Sequence, residues 1–469
     1  MMGKADLFFS DCKGKKIAVI GVGVSNTDVI RLFARKGLDV TLCERKSREQ
    51  LGELAQELEG LGVKLSLGEG YLEKLSSFDI ILRAPGVYYN KPELKAARDA
   101  GCVVTSEMEL FFDLCPCKIY GVTGSDGKTT TTTLIAEMLK AEGKTVHLGG
   151  NIGRALLPLI ESVQPEDRAV VELSSFQLIS MRRSPDVAVI TNVAPNHLDV
   201  HGTMEEYIDA KKNLILHQNA FSRTVLGADN EITNSFSPLV RGSCWHFSRR
   251  GELPFGAYAD EAGELYVAYR GADGARQVQH LMHQSQIRIP GMHNVENYLA
   301  AISAVWGEVG VQTIRQVAQT FGGVEHRIEF VRELDGVKWY NDSIATSPTR
   351  TIAGLKSFDQ KLIIIAGGYD KKIPFEPLVP YLLERVKALV LTGLTAPKIE
   401  AAVKADPGYS PELLPIYHAA DLQEAVNICR RIARSGDIVS LSPACASFDC
   451  YPNFEVRGRK YKEMVQALV

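Results

Sequence analysis

The sequence predicts an α/β protein with three domains, each built on a mostly parallel sheet. Over the first hundred residues, short apolar runs alternate with helical spacing, and a similar series starts near Gly323. Between these two series, a glycine-rich loop near residue 124 separates a strand from a helix. Alternating strands and helices form parallel sheets with crossover helices. A chain of 469 residues is also long for one hydrophobic core, so two to four domains are expected.

The first domain is expected to span residues 1–106 and to be Rossmann-like. Its buried strands are predicted at residues 16–20, 39–43, 63–67 and 79–83, with a helix over 25–35. Gly21-x-Gly23 follows the first strand like the start of a dinucleotide fingerprint, but Asn26 occupies the place of the third glycine. This pattern favours a tight strand-to-helix turn and a ligand-binding loop equally.

The central domain is expected over residues 107–323 and the C-terminal domain over 324–469. Central strands are predicted at 118–120, 169–173 and 187–192, and helices at 130–140 and 293–309. Short alternating runs between 244 and 290, such as 265–269 and 287–289, predict a small antiparallel excursion from a mostly parallel, P-loop-type sheet. The C-terminal domain is expected to be Rossmann-like, with strands at 361–366, 388–391 and 437–441 and a helix over 421–433.

The composition is that of an ordinary soluble globular protein. The net charge is −3 and there is no strongly basic tract, so no nucleic-acid partner is expected. No run reaches the roughly 18 apolar residues that a membrane helix needs, and the start of the chain lacks the apolar core of a signal peptide. Nine dispersed cysteines without a CxxC pair favour reduced thiols in a cytoplasm.

The most informative segment is the loop Gly124-x-x-Gly127-Lys128-Thr129, between a predicted strand and a predicted helix. Small residues let backbone N–H groups surround phosphate oxygens, and the helix N-terminus adds positive potential. Lys128 can reach the terminal phosphates of a nucleoside triphosphate, and the Thr129 hydroxyl can hold Mg²⁺. The loop is shorter than the general P-loop, but its position between strand and helix predicts phosphate binding.

Three further side chains are expected at the same edge of the central sheet. Glu172 ends a predicted strand, which is where a hard cation finds oxygen ligands, although a solvent-facing strand end is the alternative. His197 lies just beyond another strand and is either a metal ligand or a structural histidine. Lys211 and Lys212 follow on a helix, where spacing alone indicates solvated surface lysines.

Asn294 and Asn297 lie three residues apart, so they share one face of a helix. Paired amides suit the donor and acceptor edge of adenine, but a helix N-cap at Asn294 is the favoured alternative without further context. In the C-terminal domain, Arg327 is a candidate clamp for a phosphoryl group and Lys371 for a substrate carboxylate. For each of these two cations, an ordinary surface charge is the alternative interpretation.

With these motifs, the chain resembles the Mur ligases of peptidoglycan synthesis over nearly its whole length. The resemblance depends on three segments: Val171-Glu-Leu-Ser-Ser-Phe-Gln177, the block around His197, and Leu441-Ser-Pro-Ala-Cys-Ala-Ser-Phe-Asp449 with Asn453-Phe-Glu-x-Arg457-Gly. The last segment is typical of the family member that adds D-glutamate. Sister ligases and folylpolyglutamate synthase share the phosphate loop and the Asn-x-x-Asn pair but not this ending.

The resemblance implies an ATP-driven amide ligation with UDP-N-acetylmuramoyl-L-alanine, D-glutamate and ATP as substrates. The alanyl carboxylate would attack the γ-phosphate, and the amine of D-glutamate would then displace phosphate from the acyl phosphate. The first domain would bind the UDP-sugar, the central domain ATP with two Mg²⁺ ions, and the C-terminal domain the amino acid. A monomer is expected.

The resemblance also implies a set of binding residues for each substrate. Those for ATP are Gly124, Ser125, Asp126, Gly127, Lys128, Thr129 and Thr130 at the phosphates, Asn294 and Asn297 at adenine, Asp342 near the ribose and Arg327 at the γ-phosphate. Those for the UDP-sugar are Val24, Ser25, Arg45 and Asn151. Those for D-glutamate are Thr346 and Lys371 at one carboxylate, and Ser447 and the Phe454 backbone at the other.

Four residues carry the implied catalysis: Lys128, Glu172, His197 and Lys211. Thr129 and Glu172 would share one Mg²⁺, and His197 would bind a second. Lys211 matches the carbamylated lysine of the family, in which CO₂ turns the amine into a carboxylate-like metal ligand. Only a neutral amine reacts with CO₂, so a lowered pKa of Lys211 is expected.

Three positions depart from the family pattern. Ile344 stands where many relatives carry lysine, which removes one positive charge from the amino-acid site. Asn196 stands where aspartate usually precedes the histidine, and Cys43 replaces an aspartate that is common in the uridine pocket. Recognition of the uridine is therefore the least secure of the implied contacts.

Two rival functions are consistent with the same motifs. A sister ligase would add another amino acid, such as L-alanine or a diamino acid, but the Asp-Asn-Pro-Arg motif of the diamino-acid enzymes is not found in the sequence. A nucleotide-binding switch without ligase activity would share the phosphate loop. A long third domain with its own glycine turn argues against a switch.

Overall fold

The computed structural model contains three β-sheets in an α/β fold. It describes residues 3–195 and 198–469, apart from the side chains of residues 24, 25, 198 and 199. Met1–Gln286 and Val295–Val317 form one compact unit, which contains the first two sheets. Ile287–Asn294 and Ala318–Val469 form a second compact unit, which contains the third. The predicted α/β class is confirmed, and the domain boundaries expected after residues 106 and 323 stay predictions.

The first sheet is entirely parallel, with the strand order β3-β2-β1-β4-β5. Its strands are β1 Lys16–Ile20, β2 Asp39–Glu44, β3 Lys64–Leu67, β4 Ile80–Leu82 and β5 Val103–Thr105. Its helices are α1 Lys4–Asp11, α2 Val24–Arg35, α3 Arg48–Leu51, α4 Glu53–Gly60, α5 Pro92–Asp99 and α6 Glu107–Leu114. The four predicted strands are present, and the three-residue edge strand β5 was too short to be predicted from its pattern.

The second sheet has nine strands in the order β14-β13-β12-β11-β10-β9-β6-β8-β7. Its strands are β6 Lys118–Thr123, β7 Val146–Gly150, β8 Arg168–Glu172, β9 Val187–Ile190, β10 Arg223–Gly227, β11 Ser243–Ser248, β12 Gly256–Ala259, β13 Glu264–Arg270 and β14 Arg276–His283. Its helices are α7 Lys128–Ala141, α8 Ser175–Leu178, α9 Leu198–His201, α10 Met204–Leu216, α11 Glu231–Asn234, α12 Met292–Val305 and α13 Val311–Thr320.

The antiparallel part of this sheet is smaller than the sequence indicated. β11 and β12 continue the parallel part, and only β13 and β14 join it in antiparallel pairs. The alternating run Ile287-Arg-Ile289 was predicted within the excursion but is not a strand. Both isoleucines are buried while Arg288 is exposed. The alternation of apolar and polar residues therefore reflects alternating burial in an irregular segment, not pairing in a sheet.

The third sheet has the order β15-β16-β20-β17-β18-β19, in which only β15 is antiparallel to its neighbour. Its strands are β15 Glu329–Leu334, β16 Val337–Asn341, β17 Leu362–Ala366, β18 Val386–Leu391, β19 Ile416–His418 and β20 Ile438–Leu441. Its helices are α14 Pro348–Leu355, α15 Val379–Arg385, α16 Ala396–Ala405, α17 Leu422–Ile432 and α18 Phe454–Gln466. Within the described residues, no helix combines the length and apolarity needed to cross a membrane.

A half-buried charge cluster ties the amino ends of β6 and β8 to the turn after α12. One Glu308 oxygen accepts hydrogen bonds from Lys118 and from the Tyr120 hydroxyl, and the other accepts from Arg168 Nε at 2.7 Å. Burial alone would raise the pKa of Glu308, but the hydrogen bonds from Lys118 and Arg168 outweigh it and lower the pKa to about 2. The ionised carboxylate therefore stabilises the folded state.

We expect Glu308→Gln to lower the free energy of unfolding by about 2 kcal/mol at neutral pH, because two cations lose their half-buried anionic partner. The ordinary pKa of 4.5 is above the folded value of about 2. The Glu308 contribution is therefore complete above the ordinary pKa and is lost as the pH falls towards the folded one. Urea unfolding at several pH values measures both effects.

The matched control is Glu137→Gln, which breaks an exposed pair with Lys140 in α7 and should change stability little. Equal losses in both variants, or a Glu308→Gln loss that does not shrink on acidification, would contradict this account of the cluster.

Candidate active site

The register of the central sheet brings the candidate site together. β6 lies between β8 and β9, with Val122 opposite Glu172 and Thr123 opposite Ile190. The Thr123 hydroxyl donates a 2.8 Å hydrogen bond to the carbonyl of Leu173, which locks the ends of two strands together. Because parallel strands end at the same edge, the phosphate loop, Glu172 and the segment after β9 meet there.

The phosphate loop depends on its two glycines. Gly124 and Gly127 have φ angles of 154° and 76°, which other residues rarely adopt. A Cβ at Gly124 would collide with the Thr191 hydroxyl, and one at Gly127 would collide with the Asn297 side chain. The loop therefore cannot accept larger residues without moving its neighbours.

The segment after β9 holds the loop from one side. The backbone N–H groups of Ser125 and Asp126 donate to the carbonyl and the side-chain oxygen of Asn192, at 2.8 and 2.9 Å. The Thr191 hydroxyl donates to the Asp126 carbonyl at 2.6 Å. Sequence reasoning missed Thr191 and Asn192 as supports of the loop, because it placed both inside the strand predicted over 187–192, whereas β9 ends at Ile190.

Lys128 begins α7, so the N-terminal turn of that helix follows the loop directly. Its ammonium donates to the carbonyls of Gly124 and Ser125, at 3.0 and 2.8 Å. Thr129 is half-buried and Thr130 is buried in the same turn. A lysine, a helix N-terminus and a glycine loop at one point form a site for a phosphate group.

Lys211 lies on the buried face of α10, with 1% of its surface exposed. Its ammonium donates to the Gly124 carbonyl at 2.8 Å and lies 4.6 Å from the centre of the Tyr207 ring. Burial, and to a smaller extent the charge of Lys128, lower the pKa of Lys211 to about 7, while Asp126 opposes the shift. The surface-lysine interpretation is thus wrong for Lys211, and much of its amine is neutral at neutral pH.

Lys212, the next residue, behaves as spacing predicted. It is half-buried, and its ammonium pairs with Asp209 at 2.8 Å across one turn of α10. The two lysines differ because neighbouring helical positions point about 100° apart.

Glu172 is buried, with 1% of its surface exposed, so the alternative of a solvent-facing strand end is wrong. One carboxylate oxygen accepts a 2.8 Å hydrogen bond from the side chain of Asn151, whose backbone N–H donates to the Glu172 carbonyl. The other oxygen is buried and has no hydrogen-bond partner among the residues that the structure describes. A buried carboxylate oxygen without a donor fits a hard cation such as Mg²⁺.

An aromatic cluster that sequence reasoning missed connects three short helices to the phosphate loop. The His201 ring stacks on Phe176 at 5.2 Å, and its Nε2 lies 2.9 Å from the Ser175 hydroxyl. Tyr207 contacts the edge of His201, and its hydroxyl lies 3.0 Å from that of Ser125. The contacts join distant chain segments, so no local pattern signals them. His197 and Asn196 lie outside the described residues.

A cavity of about 240 Å³ lies where the end of β4 meets α8. Arg83, which follows β4, donates to the carbonyl of Phe176 and to the hydroxyl of Ser180, at 2.8 and 3.0 Å. The cavity is lined by Arg83, Pro85, Gly86, Tyr88, Tyr89, Phe176, Ile179, Val200 and His201. Its aromatic and apolar walls suit part of an organic substrate.

The turn after β1 is the tight turn that one of the two interpretations favoured. Gly21 has a φ angle of 86°, and the N–H of Val22 donates to the Glu44 carboxylate at 3.0 Å. The Asn26 side chain donates to the carbonyl of Ile20 at 2.8 Å. Val24 and Ser25 begin α2, outside the part of the structure with described side chains, so their role in ligand binding stays a prediction.

Cys43 belongs to the core of the first sheet, where burial raises the pKa of its thiol to about 11. A neutral buried thiol offers no charged acceptor to a nucleotide. Arg45, two residues later, is exposed.

Asn294 and Asn297 are both buried on α12. The helix begins at Met292, so the interpretation of Asn294 as its N-cap is wrong. Asn294 donates to the carbonyl of Pro290 at 2.5 Å, while the Asn297 side-chain oxygen accepts from the Thr131 hydroxyl at 3.2 Å. Asn297 therefore supports the phosphate loop, and contact of either amide with adenine stays a prediction.

In the third sheet, β16, β20 and β17 are neighbouring parallel strands whose ends share one edge. Asp342, directly after β16, is buried and accepts hydrogen bonds from Ser442 and from the Ile328 N–H. Burial raises the pKa of the Asp342 carboxyl to about 7, although these hydrogen bonds oppose the shift. Arg327 lies between His326 and Ile328, which both have left-handed backbones.

Of the residues predicted for the amino acid, Thr346, Lys371 and Ser447 lie in loops at this edge, and Phe454 begins α18. The exposed ammonium of Lys371 donates to the Thr346 hydroxyl at 3.2 Å, and Ser447 is buried in the loop after β20. The backbone carbonyl of Phe454 accepts a 2.8 Å hydrogen bond from the Ser343 hydroxyl. Ile344 contributes its backbone, since its carbonyl accepts from the Thr346 N–H.

A P-loop joined to a parallel sheet, with a buried acidic residue and a second α/β unit, defines an enzyme that acts on a nucleoside triphosphate. Three family models match the chain: the Mur ligase MurD-like N-terminal domain at residues 15–106, the Mur ligase middle domain at 122–305, and the Mur ligase glutamate ligase domain at 326–445. The chain belongs to the Mur ligase family, and the resemblance of its motifs is confirmed.

Curated relatives and solved structures agree with this assignment. The chain is 51% identical over 470 residues to UDP-N-acetylmuramoylalanine--D-glutamate ligase of Acetivibrio thermocellus, with 100% of both chains covered. It is 48% identical over 453 residues to the enzyme of that name from Clostridium perfringens, with 97% of both covered. UDP-N-acetylmuramate-alanine ligase MurC of Thermotoga maritima shares the fold, with a TM-score of 0.55, 19% identity and coverage of 97% of this chain and 99% of that one.

We expect Gly127→Ala to weaken ADP binding at least about tenfold, because the added methyl group forces Asn297 away from the loop. The matched control is Gly143→Ala beyond the other end of α7, where φ is also positive at 86° but no atom lies within 4 Å of the new Cβ. Titration calorimetry with ADP measures both variants. Equal affinities, or an equal loss in both, would show that the contact with Asn297 does not shape the nucleotide site.

Proposed function

We propose that the chain joins D-glutamate to UDP-N-acetylmuramoyl-L-alanine, using ATP and forming an acyl phosphate, in the synthesis of peptidoglycan precursors. The observation that carries the chemistry is the meeting of the phosphate loop, Glu172 and Lys211 at one sheet edge. The names of the full-length relatives carry the identity of the substrates. With these substrates, we infer a cytoplasmic, monomeric enzyme.

In the first step, a carboxylate oxygen of the alanyl group attacks the γ-phosphorus of ATP, and ADP leaves. The Lys128 ammonium and the N-terminus of α7 would stabilise the charge on the phosphoryl oxygens. Gly124, Ser125, Asp126, Gly127, Thr129 and Thr130 would complete the phosphate cradle. In the second step, the amine of D-glutamate attacks the acyl carbon, a tetrahedral intermediate forms, and inorganic phosphate leaves with the amine proton lost to solvent.

Thr129 and Glu172 would hold one Mg²⁺ and His197 a second, and both ions would neutralise phosphate charge. The unpartnered Glu172 oxygen fits such an ion. Lys211 fits it only after modification, because an ammonium repels a cation. We infer that CO₂ adds to the neutral Lys211 amine, forming one N–C bond and releasing one proton, and that the resulting carbamate provides anionic oxygens.

The remaining contacts are proposed from the family pattern. The UDP-sugar would lie at Val24, Ser25, Arg45 and Asn151, and the adenosine and γ-phosphate of ATP at Asn294, Asn297, Asp342 and Arg327. D-Glutamate would be held by Thr346 and Lys371 at one carboxylate and by Ser447 and the Phe454 backbone at the other. The hydrogen bond between Lys371 and Thr346 supports this binding site, since it brings the two side chains together.

A sister ligase that adds another amino acid is the second candidate. Such an enzyme has the same phosphate chemistry but needs a different binding site for the amino acid. A nucleotide-binding switch is less well supported, because the similarity to named ligases extends through the third sheet to the end of the chain.

We expect the purified protein to form an amide with D-glutamate at a kcat/KM at least about 100-fold above that for L-glutamate, L-alanine or a diamino acid. Formation of the UDP-linked product and release of phosphate are measured with each amino acid in turn. L-Glutamate is the matched control, since it carries the same groups with the opposite configuration at Cα. Preference for another amino acid would favour the sister ligase, and ATP turnover without either acceptor would favour the switch.

We expect Lys211→Ala to lower kcat at least about 100-fold, which is roughly 2.7 kcal/mol, because the carbamate is lost. Added acetate or formate should restore part of the activity by supplying a carboxylate in its place. Lys212→Ala, the matched control, removes an exposed salt bridge and should stay within about twofold of wild type. Full activity of Lys211→Ala, or equal losses in both variants, would refute carbamylation.

A further inference from the structure

Arg457 lies in the first turn of α18 with 4% of its surface exposed. Its guanidinium donates to the carbonyl of Ala446 at 3.1 Å, to those of Ser343 and Cys445 at 2.9 and 3.1 Å, and to the Ser343 hydroxyl at 3.0 Å. Among the residues that the structure describes, no carboxylate forms an ion pair with it. This buried cation is therefore satisfied by backbone carbonyls rather than by a counter-ion.

Its acceptors belong to two different loops. Ser343 is in the loop after β16, three residues before Thr346. Cys445 and Ala446 are in the loop after β20, directly before Ser447. Because a guanidinium is planar and rigid, hydrogen bonds to both loops at once fix the distance between them.

The other residues of the motif Asn453-Phe-Glu-x-Arg457-Gly458 hold Arg457 in place. The Asn453 side chain caps α18 by accepting the Val456 N–H at 2.8 Å. The Phe454 carbonyl accepts from the same Ser343 hydroxyl that Arg457 contacts. Gly458 leaves room for His326, because a Cβ there would collide with the imidazole ring. Asn453, Arg457 and Gly458 of the motif therefore each have a geometric reason.

The charge of Arg457 adds to this positional effect. Burial lowers the pKa of Arg457 to about 10, so the guanidinium stays protonated at neutral pH. Arg457 forms no ion pair with any described carboxylate, so its charge raises the electrostatic potential of the adjoining loops, which favours an anionic ligand. The charge of Asp449 partly offsets this effect.

We propose that Arg457 is a positioning residue for the amino-acid substrate: it sets the separation of the loops 343–346 and 445–447 to match the two carboxylates of glutamate. The inference rests on the proposed function, which assigns Thr346 and Ser447 to those carboxylates. Arg457 itself bonds only protein groups, so it acts through the two loops rather than on the reacting atoms. Chain-length selectivity between D-glutamate and D-aspartate follows from that separation.

The test compares Arg457→Lys, which keeps the charge but loses the planar fork, with Arg457→Met, which loses both. We expect Arg457→Lys to raise the KM for D-glutamate at least about tenfold and to lower the preference for D-glutamate over D-aspartate, with the KM values for ATP and the UDP-sugar within about twofold. Arg457→Met should raise the KM for D-glutamate further. If Arg457→Met does not fold, the measurements on Arg457→Lys alone decide the test.

The matched control is Arg332→Met. Arg332 donates to the carbonyls of Val465, Gln466 and Leu468 at the far end of α18, so it makes comparable bonds to the same helix. Its removal should leave all three KM values and the selectivity within about twofold of wild type.

A second readout separates this inference from the proposed function. Acyl phosphate formed from ATP and the UDP-sugar without amino acid, trapped with borohydride, should be unchanged in Arg457→Lys. Three results would overturn the positioning role alone. The first is an unchanged KM for D-glutamate, and the second is an unchanged selectivity. The third is a rise of all three KM values together with a loss of trapped acyl phosphate. A wild-type protein that forms no amide with D-glutamate would overturn the proposed function as well.

Discussion

The parallel register of β8, β6 and β9 is the constraint on which the candidate active site depends. It places Glu172 opposite Val122 and Ile190 opposite Thr123, so three chain segments leave the sheet side by side. The hydroxyls and amides that hold the phosphate loop come from these segments. The carbonyl of Gly124 in this loop accepts a hydrogen bond from the Lys211 side chain. A shift of one residue would turn each of these side chains to the opposite face of the sheet.

Two buried cations illustrate how the chain uses lysine and arginine differently. Lys211 has an aliphatic stem and a small ammonium, and burial next to Lys128 lowers its pKa to about 7. Arg457 is buried as deeply but keeps its proton, and its planar fork bonds several carbonyls at once. A lysine is therefore suited to chemical modification, whereas an arginine is suited to fixing the distance between two loops.

Apolar runs and glycine loops made most strands and the phosphate site predictable, because their cause is local. The β15–β16 hairpin was missed although Asp335-Gly336, both with positive φ, is a strong turn signal. Other features depend on contacts that no local pattern shows. The burial of Lys211 beside a half-buried Lys212, the cluster around His201 and the four hydrogen bonds of Arg457 all depend on which distant segments pack together.

The central claim is that the site activates a bound carboxylate by transferring a phosphoryl group to it. The most direct measurement places a heavy-oxygen label in the alanyl carboxylate of the UDP-sugar and follows it by mass spectrometry during ligation. If an acyl phosphate forms, one labelled oxygen of that carboxylate must leave with inorganic phosphate at each turnover. Phosphate without label, released while the amide forms, would contradict the account.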